Sequence, residues 1–229
     1  MGESDSCILL KGESVSSPYM VGAQFERIQT MNSDFIDAVK NHDYRYLHAC
    51  IISGRTPNVV GSDGKSALLV ATEAHDPSMV QWLLEHGANV DFYAPDDKII
   101  DQTAFLSAGA NGYTDILEIL IPYEPDVSIR NGYGGNALIP AAEKGHVDTV
   151  RLLLEKTKVD VNFVNRLGWT ALLEVVIYGH DNQAYQEIAR LLLQHGAEPL
   201  LSDKDGVTPL EHAQRRNLTM ILPLLLDEG

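Results

Sequence analysis

Gly168-Trp-Thr-Ala-Leu172 decides how this chain is read, because the same short phrase returns along it. The other copies are Gly64-Lys-Ser-Ala-Leu68, Asp101-Gln-Thr-Ala-Phe105, Gly134-Gly-Asn-Ala-Leu138 and Gly206-Val-Thr-Pro-Leu210, and the final residues of successive copies lie 37, 33, 34 and 38 positions apart. Each phrase leads into a small-residue helical pattern and then a Leu-rich one: Val80-Gln-Trp-Leu-Leu, Leu117-Glu-Ile-Leu-Ile, Val150-Arg-Leu-Leu-Leu, Ala189-Arg-Leu-Leu-Leu and Leu222-Pro-Leu-Leu-Leu. A fixed period of this length marks a repeat architecture in which each unit buries its apolar face only against its neighbours.

The parts of the phrase have separate physical reasons. The leading Gly suits a turn that needs positive φ. The Ser, Thr or Asn accepts hydrogen bonds from the orphan N–H groups of the following helix. Pro209 falls at the first helical position, where a missing N–H costs nothing. Ala71, Ala108, Ala141 and Ala213 keep the first helix thin, so that the next unit can approach. Gly112 and Gly145 are expected to end first helices in a left-handed cap, and Gly87 and Gly196 to end second helices.

This unit resembles the ankyrin repeat, and the resemblance covers roughly residues 33–226. Residues 131–172, with Glu143-Lys-Gly-His146 and Gly168-Trp-Thr-Ala-Leu-Leu-Glu174, are also similar to small free-standing bacterial ankyrin proteins. The resemblance implies an all-α solenoid of stacked helix-turn-helix units with protruding turns. The chain departs from the family after the Leu of each phrase, where the family's His is replaced by Leu69, Leu106, Ile139, Leu173 and Glu211. That His helps tie neighbouring repeats, so the inter-repeat hydrogen bonds must come from elsewhere.

The expected organisation is a mobile N-terminal tail over residues 1–32 and a repeat domain over residues 33–229. Serines at 4, 6, 14, 16 and 17, and the absence of a sustained apolar period, set the tail apart. Met1-Gly2-Glu3-Ser4-Asp5-Ser6-Cys7 fits a loose lipidation pattern, read as chance because acids flank it. The units are a capping unit at 33–60, full repeats at 61–93, 94–130, 131–164 and 165–202, and a C-terminal cap at 203–229. Two units are long. Pro95–Ile100 extends the turn before one phrase, and Tyr178–Gln186 extends a link between helices. Pro122 and Pro125 stand where a helix-ending Gly is usual, so that helix should stop early, and Pro223 should kink the last one.

Composition excludes several functions. Against 17 Lys+Arg stand 32 Asp+Glu, a net charge of −15, which does not suit a phosphate backbone or an anionic membrane surface. No run is long and apolar enough to span a bilayer, the first ten residues do not read as a signal peptide, and two cysteines do not make a disulfide framework. A monomer in the cytoplasm is expected, with no nucleic-acid or membrane partner. His42, His48 and Cys50 lack a second pair at zinc spacing, no phosphate loop or nucleophile motif occurs, and the carboxylates are spread over caps and turns. No catalytic residue, metal or cofactor is expected.

The resemblance implies a binding role, with a protein or peptide on the concave side formed by the turn tips and the outer positions of each first helix. Carried over position by position, the expected contact residues are Tyr93, Arg130, Tyr133, Lys144, Arg166, Trp169 and Tyr178. Their centre is rich in Trp, Tyr and Arg, the residue types that dominate binding hot spots, and the three cations suggest a partner patch that is acidic or mixed. An adaptor or scaffold is expected first, and an inhibitor or accessory subunit of an enzyme encoded nearby second. Trp82, beside Leu83 and Leu84, reads as packing instead.

Overall fold

The computed structural model describes residues 18–94 and 102–227. Six antiparallel helix pairs follow one another along the chain: α1 (Pro18–Lys40) with α2 (Tyr44–Ile52), α3 (Ala67–Glu73) with α4 (Pro77–Glu85), α5 (Ala104–Asn111) with α6 (Thr114–Leu120), α7 (Leu138–Glu143) with α8 (Val147–Lys156), α9 (Ala171–Tyr178) with α10 (Gln183–Gln194), and α11 (Pro209–Arg216) with α12 (Leu222–Asp227). First helices pack in the order α1, α3, α5, α7, α9, α11, and second helices α4, α6, α8 and α10 pack in a parallel row. Extended pairing among the described residues is a single bridge between Val60 and Ser66. The chain is an all-α ankyrin-type solenoid, as the repeat implied.

The helices start and stop where local chemistry directs. Ser66, Thr103, Thr170 and Thr208 accept from the backbone N–H three residues on, and Thr208 completes a capping box with Glu211. Asn136 does the same for Leu138 and Ile139. Gly112 takes φ 72°, and a Cβ there would lie 2.6 Å from His146 Nδ1, so both the turn and the next unit require glycine. The helix before Pro122 ends early as expected: α6 stops at Leu120, a single 3-10 turn covers Ile121–Tyr123, and Glu124 turns left-handed. Pro223 does not kink its helix. It lies in the first turn of α12, where proline has no hydrogen bond to break.

Two boundaries differ from expectation. The helix carrying Phe35, Ile36 and Val39, all buried, continues back to Pro18, so residues 18–32 are helical where no sustained period was expected. Once the packed end has nucleated a helix, adding residues is inexpensive, and Arg55 Nη2 donates to Met31 O at 2.7 Å to hold its middle. The readings for residues 1–17 and for the Pro95–Ile100 turn lie outside the described residues. In the fourth full repeat, most of the extra length enters α10, which starts at Gln183 and runs twelve residues. The remaining link, 179–182, is tied down. Asp181 accepts from Thr219 N (2.9 Å), Thr219 Oγ1 (2.7 Å) and Met220 N (2.8 Å).

Ties of this kind replace the absent family His. Asn58 and Asn162 each accept from, and donate to, the backbone of the following unit. Asp91 accepts from Asp126 N, Thr114 and Thr149 share a hydrogen bond, and Arg216 donates to Val176 O and Gly179 O. Tyr185 Oη donates to Glu143 O at 2.9 Å. Trp82 packs on the core and stacks on His86, with ring centroids 3.9 Å apart, as its place among leucines implied.

In a stack with nearest-neighbour coupling, damage stays local. Asp181→Ala removes three hydrogen bonds to a charged acceptor that join the 179–182 link to the last unit. Amide exchange over residues 218–225 should accelerate by about tenfold, with exchange over residues 137–154 unchanged. Equal acceleration in both segments would show that the units do not respond independently.

Candidate functional site

The turns of the third and fourth full repeats share one local construction. Asn131 Oδ1 accepts from Tyr133 N (3.1 Å) and Gly135 N (2.9 Å), and Asn165 Oδ1 accepts from Leu167 N (2.9 Å) and Trp169 N (3.1 Å). Both asparagines are buried, and Gly134 and Gly168 supply positive φ at the tips. The side chains of Tyr133, Leu167 and Trp169 are therefore presented by rigid backbone. Consecutive turns stack, with Arg166 N donating to Tyr133 O at 3.0 Å.

Between these turns and the helices α7 and α9 lies a groove of about 250 Å³. Tyr133, Leu167, Trp169 and Tyr178 form its walls, with Glu143 and Glu174 also on its lining. Trp169 is half-buried and meets Tyr178 edge-to-face at a centroid distance of 5.5 Å, a favoured aromatic geometry. Tyr133 is 55% exposed and Tyr178 50%. Trp169 therefore both packs on the core and borders the groove.

The structure brings together Tyr133, Trp169 and Tyr178 from the expected contact residues. It does not bring the others to the groove. Tyr93 is half-buried at the end of the first full repeat. Arg130 lies over the Phe163 ring, 3.6 Å from its centroid, and donates to Val127 O. Lys144 Nζ donates to Ala110 O at 2.7 Å, and Arg166 Nη1 donates to Gly132 O at 3.1 Å. These last two cations fasten neighbouring units, and the groove itself is lined by two carboxylates and no Lys, Arg or His.

Glu174 has no expected role from sequence beyond its place in the repeat phrase. It is 4% exposed. Oε1 accepts from Asn165 Nδ2 at 3.2 Å, and Oε2 is the one buried side-chain oxygen or nitrogen among the described residues without a hydrogen-bond partner. Its pKa is raised to about 7, chiefly by burial and further by Glu143, with the Asn165 hydrogen bond opposing both. The position four residues after the N-cap holds Val70, Ser107 and Pro140 in other units, and in the last it holds His212, paired with Asp203 at 2.7 Å. A carboxylate between Leu173 and Val175 on an otherwise apolar stretch was the signal available in the sequence.

No helix among the described residues is long and apolar enough to cross a membrane. A family model described as ankyrin repeats, in three copies, matches residues 35–131 and 106–201. The chain is 35% identical over 202 residues to the putative ankyrin repeat protein YahD of Escherichia coli K12, covering 88% of this chain and 98% of that one. An ankyrin repeat domain from Acinetobacter baumannii AYE superposes with a TM-score of 0.80 at 42% identity, over 86% of this chain and 97% of that one. The ankyrin repeat protein EF0377 superposes with a TM-score of 0.78 at 34% identity, over 85% of this chain and 97% of its own.

The pKa of Glu174 carries a consequence for stability. Below about pH 4.5 the carboxyl is protonated in folded and unfolded chains alike. As pH rises to about 7 the unfolded chain releases the proton and the folded chain retains it, so this group's contribution is lost progressively and falls no further above that. One pKa unit is about 1.4 kcal/mol, so the loss is on the order of 3 kcal/mol. Glu174→Gln removes the titration. Its melting temperature should exceed that of the wild type by several degrees at pH 8, and the two should converge at pH 4.5. A pH-independent difference would show that Glu174 does not titrate abnormally.

Proposed function

Because the chain belongs to the ankyrin-repeat family, we propose that it is a non-catalytic protein-binding module, an adaptor or scaffold that holds a protein or peptide in the groove between its third and fourth full repeats. Ankyrin repeats generally mediate protein–protein contacts. The observation that carries the reading for this chain is the aromatic groove itself. Tyr133 and Tyr178 are half-exposed, Trp169 borders the same space, and the turn backbone beneath them is pinned by two buried asparagines. Rigid aromatic rings around a concavity give large contact area at low entropic cost. The reading has a monomer act in the cytoplasm.

The anchors are Tyr133, Trp169 and Tyr178, with Arg166 supporting the turn. Truncating an anchor typically costs about 2 kcal/mol or more, roughly thirtyfold in affinity. Quantitative capture from a lysate of the cells that make the protein should lose the same partner with Tyr133→Ala and with Trp169→Ala. Tyr133→Ala should melt within about 2 °C of the wild type because the ring is exposed, while Trp169→Ala melts lower because its ring also packs on the core. Arg190→Ala, on α10 in an ion pair with Glu187, is the control that should retain the partner. Retention by Tyr133→Ala and Trp169→Ala alike would place the binding surface elsewhere.

A further inference from the structure

We propose that the groove takes one cationic side chain of the partner, a lysine ammonium or an arginine guanidinium, whose charge pairs with Oε2 of Glu174 while the rings of Tyr133, Trp169 and Tyr178 cover its aliphatic stem. The proposal rests on the protein-binding reading and narrows it to one kind of side chain.

Three observations converge on a cation. The first is the unused acceptor. Glu174 is on the groove lining and 4% exposed, Asn165 satisfies one oxygen, and the other is buried with no partner. A buried carboxylate left half-satisfied is costly, and a charged donor is the group that relieves it most. The second is charge. Glu143 borders the same groove, the lining contains no basic residue, and the nearby cations are engaged on backbone carbonyls: Lys144 on Ala110, Arg166 on Gly132, and Arg216 on Val176 and Gly179. The chain therefore does not supply its own counter-ion. The third is the wall. Trp and Tyr faces attract cations, most strongly where water is displaced, and about 250 Å³ is several times the roughly 30 Å³ share of one water. That room suits a hydrocarbon stem with a charged head.

A metal ion fits less well. Oε2 has only Glu143 as a second carboxylate on this lining, and the described residues contain no cluster of three or more His, Cys, Asp or Glu that could hold a metal. The groups around Glu174 also set its pH response. Glu143 faces it from α7, and Asn165 donates from the turn. Tyr185 of α10 is turned to the Glu143 carbonyl, and His212 of α11 is turned to Asp203.

The test uses the full chain, labelled with ¹⁵N, and reads the indole N–H of Trp169 by nuclear magnetic resonance. Trp82, in another unit, is the internal reference. The probes are n-butylammonium and n-propylguanidinium, with n-butanol and butyrate as neutral and anionic controls of similar size. Both cations should shift Trp169 saturably, at concentrations at least about tenfold below those needed for n-butanol, with Trp82 unmoved. With a carboxyl of pKa about 7, the ionised fraction rises about tenfold from pH 6 to pH 8, and cation affinity should rise with it. Glu174→Gln should remove both the preference over n-butanol and the pH dependence. The tighter of the two cations identifies the side chain as lysine or arginine. A response to n-butanol equal to that of n-butylammonium, or a cation preference that survives Glu174→Gln, overturns the proposal and leaves an apolar or water-filled groove. If the cation preference fails while Tyr133→Ala and Trp169→Ala still lose the captured partner, the cationic anchor is wrong and the binding groove stands. If the cations bind while capture is indifferent to both variants, the groove is a cation site and the protein-binding reading is the part that falls.

Discussion

Close approach of consecutive first helices is the constraint on which the rest of this molecule depends. A single helix pair of this length cannot bury its apolar face alone, and only contact with the next pair makes it stable. The approach is close enough that Gly109 on α5 has no room for a methyl group: a Cβ there would meet Ala137 Cβ at 2.8 Å and Ala137 O at 3.0 Å. Ala71, Ala108, Ala141 and Ala213 serve the same need in their own units, and all four are buried. On the second helices Leu83, Leu117, Leu153 and Leu192 fill the space between rows.

That spacing also decides how polar groups are used. Units this close can exchange hydrogen bonds through short side chains, so asparagine, aspartate and threonine connect neighbours where the family's histidine is missing. The Asp181 link and the paired contacts of Asn58 and Asn162 tie each unit to the one after it. Long cations join in the same task. Lys144, Arg166 and Arg216 reach backward to carbonyls of the preceding unit, about 34 to 40 residues earlier. Their charge is thereby held at the joints between units and kept off the groove.

The groove follows from these commitments. Two pinned turns project Tyr133 and Trp169, α9 adds Tyr178, and two carboxylates border the space with no basic residue in its lining. Glu174 then stands out because its equivalent in the last unit, His212, has found Asp203, whereas one oxygen of Glu174 has found nothing. An unpartnered carboxylate oxygen beside half-exposed aromatic rings is what the proposed recognition role would use.

The fold was legible in the sequence because the information is local and repeated. A cap residue, a glycine at positive φ and a stripe of alanines act within a dozen residues, and each copy confirms the register of the others. The aromatic centre at Tyr133, Trp169 and Tyr178 was legible for the same reason, since position in the unit determines which residues reach the turn tip and the outer helix face. The partners of charged side chains were not. Whether Lys144 or Arg166 greets a ligand or a neighbouring carbonyl depends on atoms more than thirty residues away, brought near only by stacking. The start of α1 at Pro18 and the harmless placement of Pro223 likewise depend on where packing lets a helix begin. Sequence determined the repeat, its caps and its exposed rings, because these follow from backbone geometry within one unit. Tertiary structure decided the charge of the groove and the isolation of Glu174, because burial and hydrogen-bond satisfaction are properties of the space between units.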